Sequence, residues 1–299
     1  MRYQIYFRIR RGGIGIPYAL AKTEFQAVFQ PHGYCMEREH SNRRRMWIDS
    51  ALTSNRVAGL AQNLGYTTAI LQMYAEPYCD ETLCPTWNGR WYTGWVRQGE
   101  WKVHQTEVYV QDEELLLKDA PDRRRFEIER DGERHFAAGH YAQRALSSLD
   151  ARFLFNIAHL TPTTRILDPF AGFGGIVFEA RRRGLTIFAS DIDPSLSPGL
   201  AQLAPRHFLI ADARTLPFPA NHFDSVITEP PFRNPNRQAV MDSLTELHRV
   251  LKPTGQIVLL IAIDMLEAVQ HTLAEIGRDM RPVGVIPRGG GLKSPVLVG

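Results

Sequence analysis

Residues 166–180 read ILDPFAGFGGIVFEA. A short apolar run ends at Asp168-Pro169, Gly172, Gly174 and Gly175 follow, and apolar residues at helical spacing come next. Glycine lets a backbone take positive φ and approach a ligand without a Cβ in the way. A lone pair of glycines says little. A strand, a glycine turn and a helix in that order describe the first crossover of a nucleotide-binding α/β domain.

Moving outward, strand and helix signals alternate toward the C-terminus. Strands are expected at 165–167, 186–190, 208–210, 223–228, 256–263, 282–286 and 294–298, with helices at 175–183, 196–203, 240–250 and 266–276 between them. Strands separated by helices of this length make βαβ units and a mostly parallel sheet. Such a sheet binds its ligand outside the carboxyl ends of the strands. Upstream, Leu149 to Leu160 reads as a helix closed by Pro162. The first part of the chain predicts a smaller α+β domain. It has strands at 3–10 and 43–49, helices at 17–29 and 55–64, a strand-favouring stretch at 87–110 rich in Trp, Tyr, Val and Thr, a polar turn or short helix at 112–122, and a strand at 123–130. We place the boundary between residues 135 and 136.

Composition excludes several classes. With Lys plus Arg at 35 and Asp plus Glu at 32, the net charge of +3 is too mild to mark a nucleic-acid binder by itself. Cys35, Cys79 and Cys84 make neither a disulfide framework nor a zinc motif, and read as reduced thiols; no metal is expected. No apolar run approaches the ~20 residues that cross a bilayer, and MRYQIYFRIRRGG lacks the continuous apolar stretch of a signal peptide. A cytoplasmic protein is expected, with a monomer favoured.

Three acids follow three successive strands. Asp168 precedes the glycines. Asp191 ends the next strand about 20 residues after the first glycine, where a carboxylate can accept from both ribose hydroxyls of an adenosine. Asp212, followed by Ala213, can accept from an adenine amino group. Asp193 is read as a cap on the turn at Pro194. The fourth strand ends in Glu229-Pro230-Pro231-Phe232. Two prolines stiffen that loop and remove two amide donors, leaving carbonyls free to accept. With the Glu229 carboxylate and the flat face of Phe232, the loop is a receptor for a planar group carrying an NH2.

Read together, DPFAGFGG (168–175), SDIDP (190–194), ADARTLPFPANHFD (211–224) and TEPPF (228–232) resemble the THUMP-containing RNA guanine-N2 methyltransferases. RALSSLDARFLFNIAHL (144–160) resembles the segment that family places before its first strand. RYQIYFRI, ALAKTEFQAVF and YTGWVRQGEWKVHQT are reminiscent of its N-terminal, tRNA-gripping region. The resemblance implies a Rossmann-like methyltransferase domain with a seven-stranded, mostly parallel sheet, S-adenosylmethionine as cofactor and tRNA as partner. It implies that Asp168, Phe170, Gly172, Gly174, Asp191, Asp212 and Ala213 bind the cofactor, and that Glu229, Pro230 and Phe232 hold the exocyclic N2 of a guanosine. This chain carries Glu229 where the family usually has Asp, and Phe232 where Tyr is commoner. An adenine-N6 methyltransferase and a non-catalytic RNA-binding protein are the competing readings. Of the arginine clusters, Arg43–Arg45 and Arg123–Arg125 are assigned to RNA phosphates, and Arg181–Arg183 to a solvated helix surface.

Overall fold

The computed structural model describes residues 1–11, 13–42, 44–73, 90–97, 100–111, 114–117, 146–232 and 237–299. The chain forms two compact units, Met1–Gly132 and Glu133–Gly299.

In the first unit, β1 (Arg2–Phe7), a small hairpin of β2 (Arg10–Arg11) and β3 (Ile14–Gly15), α1 (Tyr18–Phe29), β4 (Cys35–His40), β5 (Arg45–Asp49), α2 (Ser54–Ala61) and β6 (Thr67–Met73) come first. The strands β7 (Arg90–Arg97), β8 (Glu100–Gln111) and β9 (Glu114–Leu117) follow. They pair antiparallel in the order β4-β5-β1-β6-β7-β8-β9. The part from β1 to β6, leaving out the small hairpin, is a β-α-β-β-α-β unit with β1 central, a ferredoxin-like arrangement. Tyr3, Ile5 and Phe7 of β1 are buried, as are Leu20, Ala21, Phe25 and Phe29 of α1. Glu24, buried on the same helix, accepts from the backbone N–H groups of Gly65 (2.8 Å) and Tyr66 (2.6 Å), which fixes the approach to β6.

Three strands here had no counterpart in the sequence reading: the two-residue β3, in a stretch read as a glycine loop, and the longer β4 and β6. β4 is an almost wholly exposed, charged edge strand without alternation, and β6 is a short run beside the central strand. Of the turn or short helix expected at 112–122, Glu114–Leu117 instead form β9, which pairs with β8 from Gln111↔Glu114 onward; 112–113 and 118–122 lie outside the described residues. The strand expected at 123–130 lies outside the described residues.

The second unit begins with α3 (Ser148–Ile157), then β10 (Arg165–Asp168), α4 (Gly175–Arg182), β11 (Thr186–Asp191), α5 (Ser197–Leu203), β12 (Phe208–Ile210) and β13 (Phe223–Thr228). It continues with α6 (Arg237–Val250), β14 (Leu251–Leu260), α7 (Leu266–Glu275), β15 (Arg281–Pro287) and β16 (Lys293–Val298). The expected seven-stranded sheet is present, in the order β12-β11-β10-β13-β14-β16-β15. All neighbours are parallel except β16, which runs antiparallel to both β14 and β15. β14 starts five residues before the expected position, because Leu251 already pairs with Phe223 before a register shift.

Strand order reverses at β10, which has β11 on one side and β13 on the other. The loops leaving β10 and β13 therefore diverge and open a crevice at the strand ends. Ile166, Leu167, Val226, Ile227, Ile257 and Leu259 are fully buried beneath it. Val240, Leu244 and Leu247 of α6 and Val269 and Leu273 of α7 join that core. Each such side chain contributes roughly 1.5–3 kcal/mol on burial, so the strand ends are held on a rigid base.

Candidate active site

β10 delivers Asp168 to the crevice with its side chain fully buried. Thr228, the last residue of β13, donates to Asp168 Oδ1 at 2.6 Å, while Asp168 Oδ2 makes no hydrogen bond. Burial pushes this carboxyl up to about 7, and the negative charges of Asp191 and Glu229 push the same way; the Thr228 hydroxyl and the Phe170 N–H pull it back. Three acids thus feel one another at this end of the sheet.

The loop after Asp168 is held by β11. The N–H of Ala171 donates to the Ser190 carbonyl at 3.0 Å, and the N–H of Gly172 donates to Asp191 Oδ2 at 2.8 Å. Asp191 Oδ1 accepts from the N–H of Asp193 at 3.0 Å. Each oxygen keeps a further lone pair. The two predicted glycines have different reasons. At Gly172 (φ +51) an added Cβ would meet only the Phe170 carbonyl oxygen, at 3.9 Å, so open space lies above it. At Gly174 (φ +81) a Cβ would sit 2.4 Å from Leu203 Cδ1, so this glycine lets α4 pack on α5. Asp193 caps the turn at Pro194–Leu196, accepting from the N–H of Ser195 at 2.9 Å, as expected.

Beyond β12, Ala213 is buried. Asp212 is clasped by Arg214, with Nη2 at 2.6 Å and Nε at 3.0 Å, and its carboxyl is held below the usual range first by that side-chain bond. Ile192 and Ile210, 63% and 54% exposed, flank the ends of β11 and β12 and offer apolar surface beside Asp191 and Asp212.

Across the crevice, Pro230 is buried and Glu229, Pro231 and Phe232 are half-buried. Glu229 Oε1 accepts from Nη2 of Arg288, which follows β15. The Arg288 guanidinium also lies 3.6 Å from Oδ2 of the fully buried Asp150 and 5.6 Å from the centre of the Phe232 ring. The sequence gives no role to Thr228, Asp150 or Arg288. Thr228 opens the TEPPF segment and Asp150 lies within RALSSLDARFLFNIAHL, whereas Arg288 belongs to no motif; Asp150 and Arg288 lie 79 and 59 residues from Glu229.

The described arginines of the clusters are engaged within the chain. Arg182 and Arg183 reach the buried Glu179 carboxylate at 2.7 and 2.6 Å, and Arg181 donates to the Gln202 carbonyl at 2.9 Å. The solvated-surface reading is corrected for Arg182 and Arg183, which a buried acid on the same helix turns inward, while Arg181 stays exposed as expected. Arg44 donates to the Arg8 carbonyl and lies over Tyr18, and Arg45 lies over Tyr6. Arg43 and Arg123–Arg125 lie outside the described residues. Among the described residues there is no group of three or more His, Cys, Asp or Glu able to hold a metal ion, and no helix long and apolar enough to cross a membrane.

Residues 167–259 match the family model described as a methyltransferase domain. With the strand order and the glycine turn, this makes the second unit a Rossmann-like methyltransferase domain, whose methyl donor is S-adenosylmethionine. The chain is similar to the ubiquinone/menaquinone biosynthesis C-methyltransferase UbiE of Azotobacter vinelandii, 33% identical over 125 residues, 38% of this chain and 49% of that one. It is also similar to the tRNA (guanine(10)-N2)-dimethyltransferase of Methanothermobacter thermautotrophicus, 32% identical over 88 residues, 27% of this chain and 26% of that one. The chain spans about half the length of the UbiE proteins it matches. Among solved structures, TrmN from Thermus thermophilus aligns over 100% of this chain and 99% of its own, with a TM-score of 0.54 and 19% identity, a likeness of fold.

The residues present fit S-adenosylmethionine. The unbonded Oδ2 of buried Asp168 suits an ammonium group, and the open space at Gly172 admits the methionine chain. The spare lone pairs of Asp191 suit ribose hydroxyls.

Proposed function

We propose that this protein methylates the exocyclic N2 amine of a guanosine in tRNA, using S-adenosylmethionine. The observation that carries the reading is the Glu229-Pro230-Pro231-Phe232 loop at the end of β13, with Glu229 near enough to raise the pKa of Asp168 in the cofactor crevice. The partial match to a tRNA guanine-N2 enzyme and the fold shared with TrmN support the choice of substrate.

The N2 lone pair of guanine is delocalised into the ring and is a weak nucleophile. Two acceptors on its two N–H bonds, the Glu229 carboxylate and the Pro230 carbonyl, turn the lone pair out of the ring and stabilise the positive charge that grows on nitrogen. When bound, S-adenosylmethionine supplies a methyl group on a positively charged sulfur. As nitrogen gains its bond to the methyl carbon, the carbon–sulfur bond breaks with its electron pair going to sulfur, and the nitrogen sheds a proton that Glu229 would hold. Phe232 stacks on the base, and a target inside a helix must first leave its stack. The stiff Pro230-Pro231 loop keeps the acceptors aligned, and alignment supplies much of the remaining acceleration. Asp168 holds the cofactor's ammonium, Asp191 the ribose, and Asp212, Ala213, Phe170 and Ile192 surround the adenine side.

The test is incubation of the protein with labelled S-adenosylmethionine and unmodified tRNA, followed by nucleoside analysis. Label in N2-methylguanosine is the expected result. Label in N6-methyladenosine replaces the substrate assignment, and label in a quinone-type acceptor but not in RNA overturns it.

A further inference from the structure

We propose that Thr228 is a positioning residue for the cofactor: its hydroxyl fixes Oδ1 of Asp168, so that Oδ2 is the oxygen that meets the ammonium group of S-adenosylmethionine. This rests on the reading of Asp168 given above and brings a residue of the opposite wall into cofactor recognition.

The pair is built by the sheet. Asp168 ends β10 and Thr228 ends β13, and the two strands run side by side in parallel, with Ile166 opposite Ser225 and Leu167 opposite Val226. Both side chains are closed off from water, Asp168 at 1% exposed and Thr228 at 0%. Thr228 Oγ1 donates to Asp168 Oδ1 at 2.6 Å, a length expected of a hydroxyl on a charged acceptor. Threonine is stiff at χ1 because it is branched at Cβ, so the strand itself aims the hydroxyl. The other oxygen of the same carboxyl, Oδ2, makes no hydrogen bond. A buried polar atom left without a partner costs about 1–3 kcal/mol, and a cationic ligand removes that cost.

The hydroxyl also favours the form of Asp168 that a cation requires. Burial pushes the carboxyl up to about 7, and the charges of Asp191, at the end of β11, and of Glu229, after β13, push the same way. Against them stand the Thr228 hydroxyl, which pulls hardest, and the Phe170 N–H. Glu229 is itself held by Arg288. A hydroxyl has one proton to donate, and here it is committed to the carboxylate. Without it Asp168 would keep its proton to higher pH, and a protonated carboxyl does not attract an ammonium group. A threonine that served only to pack the strand end would affect every part of the cofactor alike. One that acts through Asp168 affects the ammonium alone.

The experiment compares full-length wild type with T228V, T228S, D168N and the D168N/T228V double variant, with no methyl acceptor present. Calorimetry gives the Kd of S-adenosylhomocysteine, which carries the ammonium, and of methylthioadenosine, which lacks the amino-acid part. The Asp168 carboxyl is titrated in the apoprotein by 13C NMR, assigned by its loss in D168N. Thr228→Val is expected to raise that titration by about one pH unit. It should weaken S-adenosylhomocysteine roughly tenfold at about pH 6.5 and by less towards about pH 8.5, where the carboxyl ionises without help. Methylthioadenosine should bind within about twofold of wild type, and Thr228→Val should add less than about twofold in the D168N background. Thr228→Ser keeps the donor and should restore both the titration and the affinity. If T228V does not fold, Thr228→Ala takes its place. With D168N selective for the ammonium ligand, an unmoved titration, wild-type affinity in T228V, or equal loss of both ligands overturns the proposal. If D168N does not separate the two ligands, the ammonium reading of Asp168 falls and this proposal with it. A selective loss in both variants upholds it, whichever acceptor the enzyme methylates.

Discussion

The two walls of the crevice are built on different principles. On the β10–β11 side, the partners of Asp191 are backbone N–H groups of Gly172 and Asp193, within one stretch of chain, and Asp168 alone reaches across, to the Thr228 hydroxyl of β13. On the β13 side, Glu229 is held by a side chain 59 residues downstream, which is in turn braced by Asp150, 79 residues upstream. The first wall is mainly a local fold of the chain, held by backbone N–H groups. The second is a relay of charges brought together by the sheet. Damage to the first should therefore appear as lost cofactor affinity, and damage to the second as lost rate with the cofactor still bound.

The largest expected effect tests that division directly. Glu229→Gln should lower kcat by on the order of 100-fold or more, the scale of removing one charge-stabilising group, with cofactor Kd by calorimetry unchanged. Asp168→Asn comes next. Losing a charged partner for the ammonium costs about 1.5–3 kcal/mol, read as a cofactor Kd roughly tenfold to a hundredfold weaker. In the wild type, affinity should fall as pH drops through about 7, because the carboxyl must ionise to meet a cation. Asp168 has a second consequence with the opposite sign. Its pKa is raised in the folded chain from 3.8 to about 7, so the native state binds the extra proton between those values. The stability this group contributes is present at low pH and is lost as pH rises from about 4 to 7. Apoprotein melting followed over that range should show this downward trend, and Asp168→Asn should remove it.

Smaller effects sharpen the comparison further. Gly174→Ala, strained at φ +81 and aimed at Leu203, should destabilise the domain by about 1–3 kcal/mol, seen in denaturant midpoints. Phe232→Ala should weaken RNA binding by about 1–3 kcal/mol, the worth of one base stack, and leave cofactor Kd alone. Arg214→Ala should change cofactor Kd less than about twofold, since exposed pairs contribute little. A larger change would mean that Arg214 orients Asp212 and that the cofactor wall, too, depends on side-chain pairing.

Locality also governs what could be read from the sequence. The order of strands and helices from Arg165 onward, the glycine turn and the acids at the strand ends lie within short windows and were legible. So was the TEPPF loop, because two prolines after a buried strand have few structural uses. Arg288 follows a strand and precedes three glycines with nothing to mark it, and Asp150 lies in an amphipathic helix as an ordinary first-turn acid. In the first unit, α1 and β1 carried clear periodicity. β4, charged along its length and exposed on the sheet edge, carried none, so the ferredoxin-like arrangement emerges only from the pairing of β1 with β5 and β6.

The most direct test of the central claim follows methyl transfer from labelled S-adenosylmethionine to an unmodified tRNA transcript by wild type and Glu229→Gln, with cofactor affinity measured on the same preparations. The account requires N2-methylguanosine from the wild type, at least ~100-fold less from the variant, and equal cofactor Kd for both. Wild-type transfer by the glutamine variant, or loss of cofactor binding in step with activity, would contradict it.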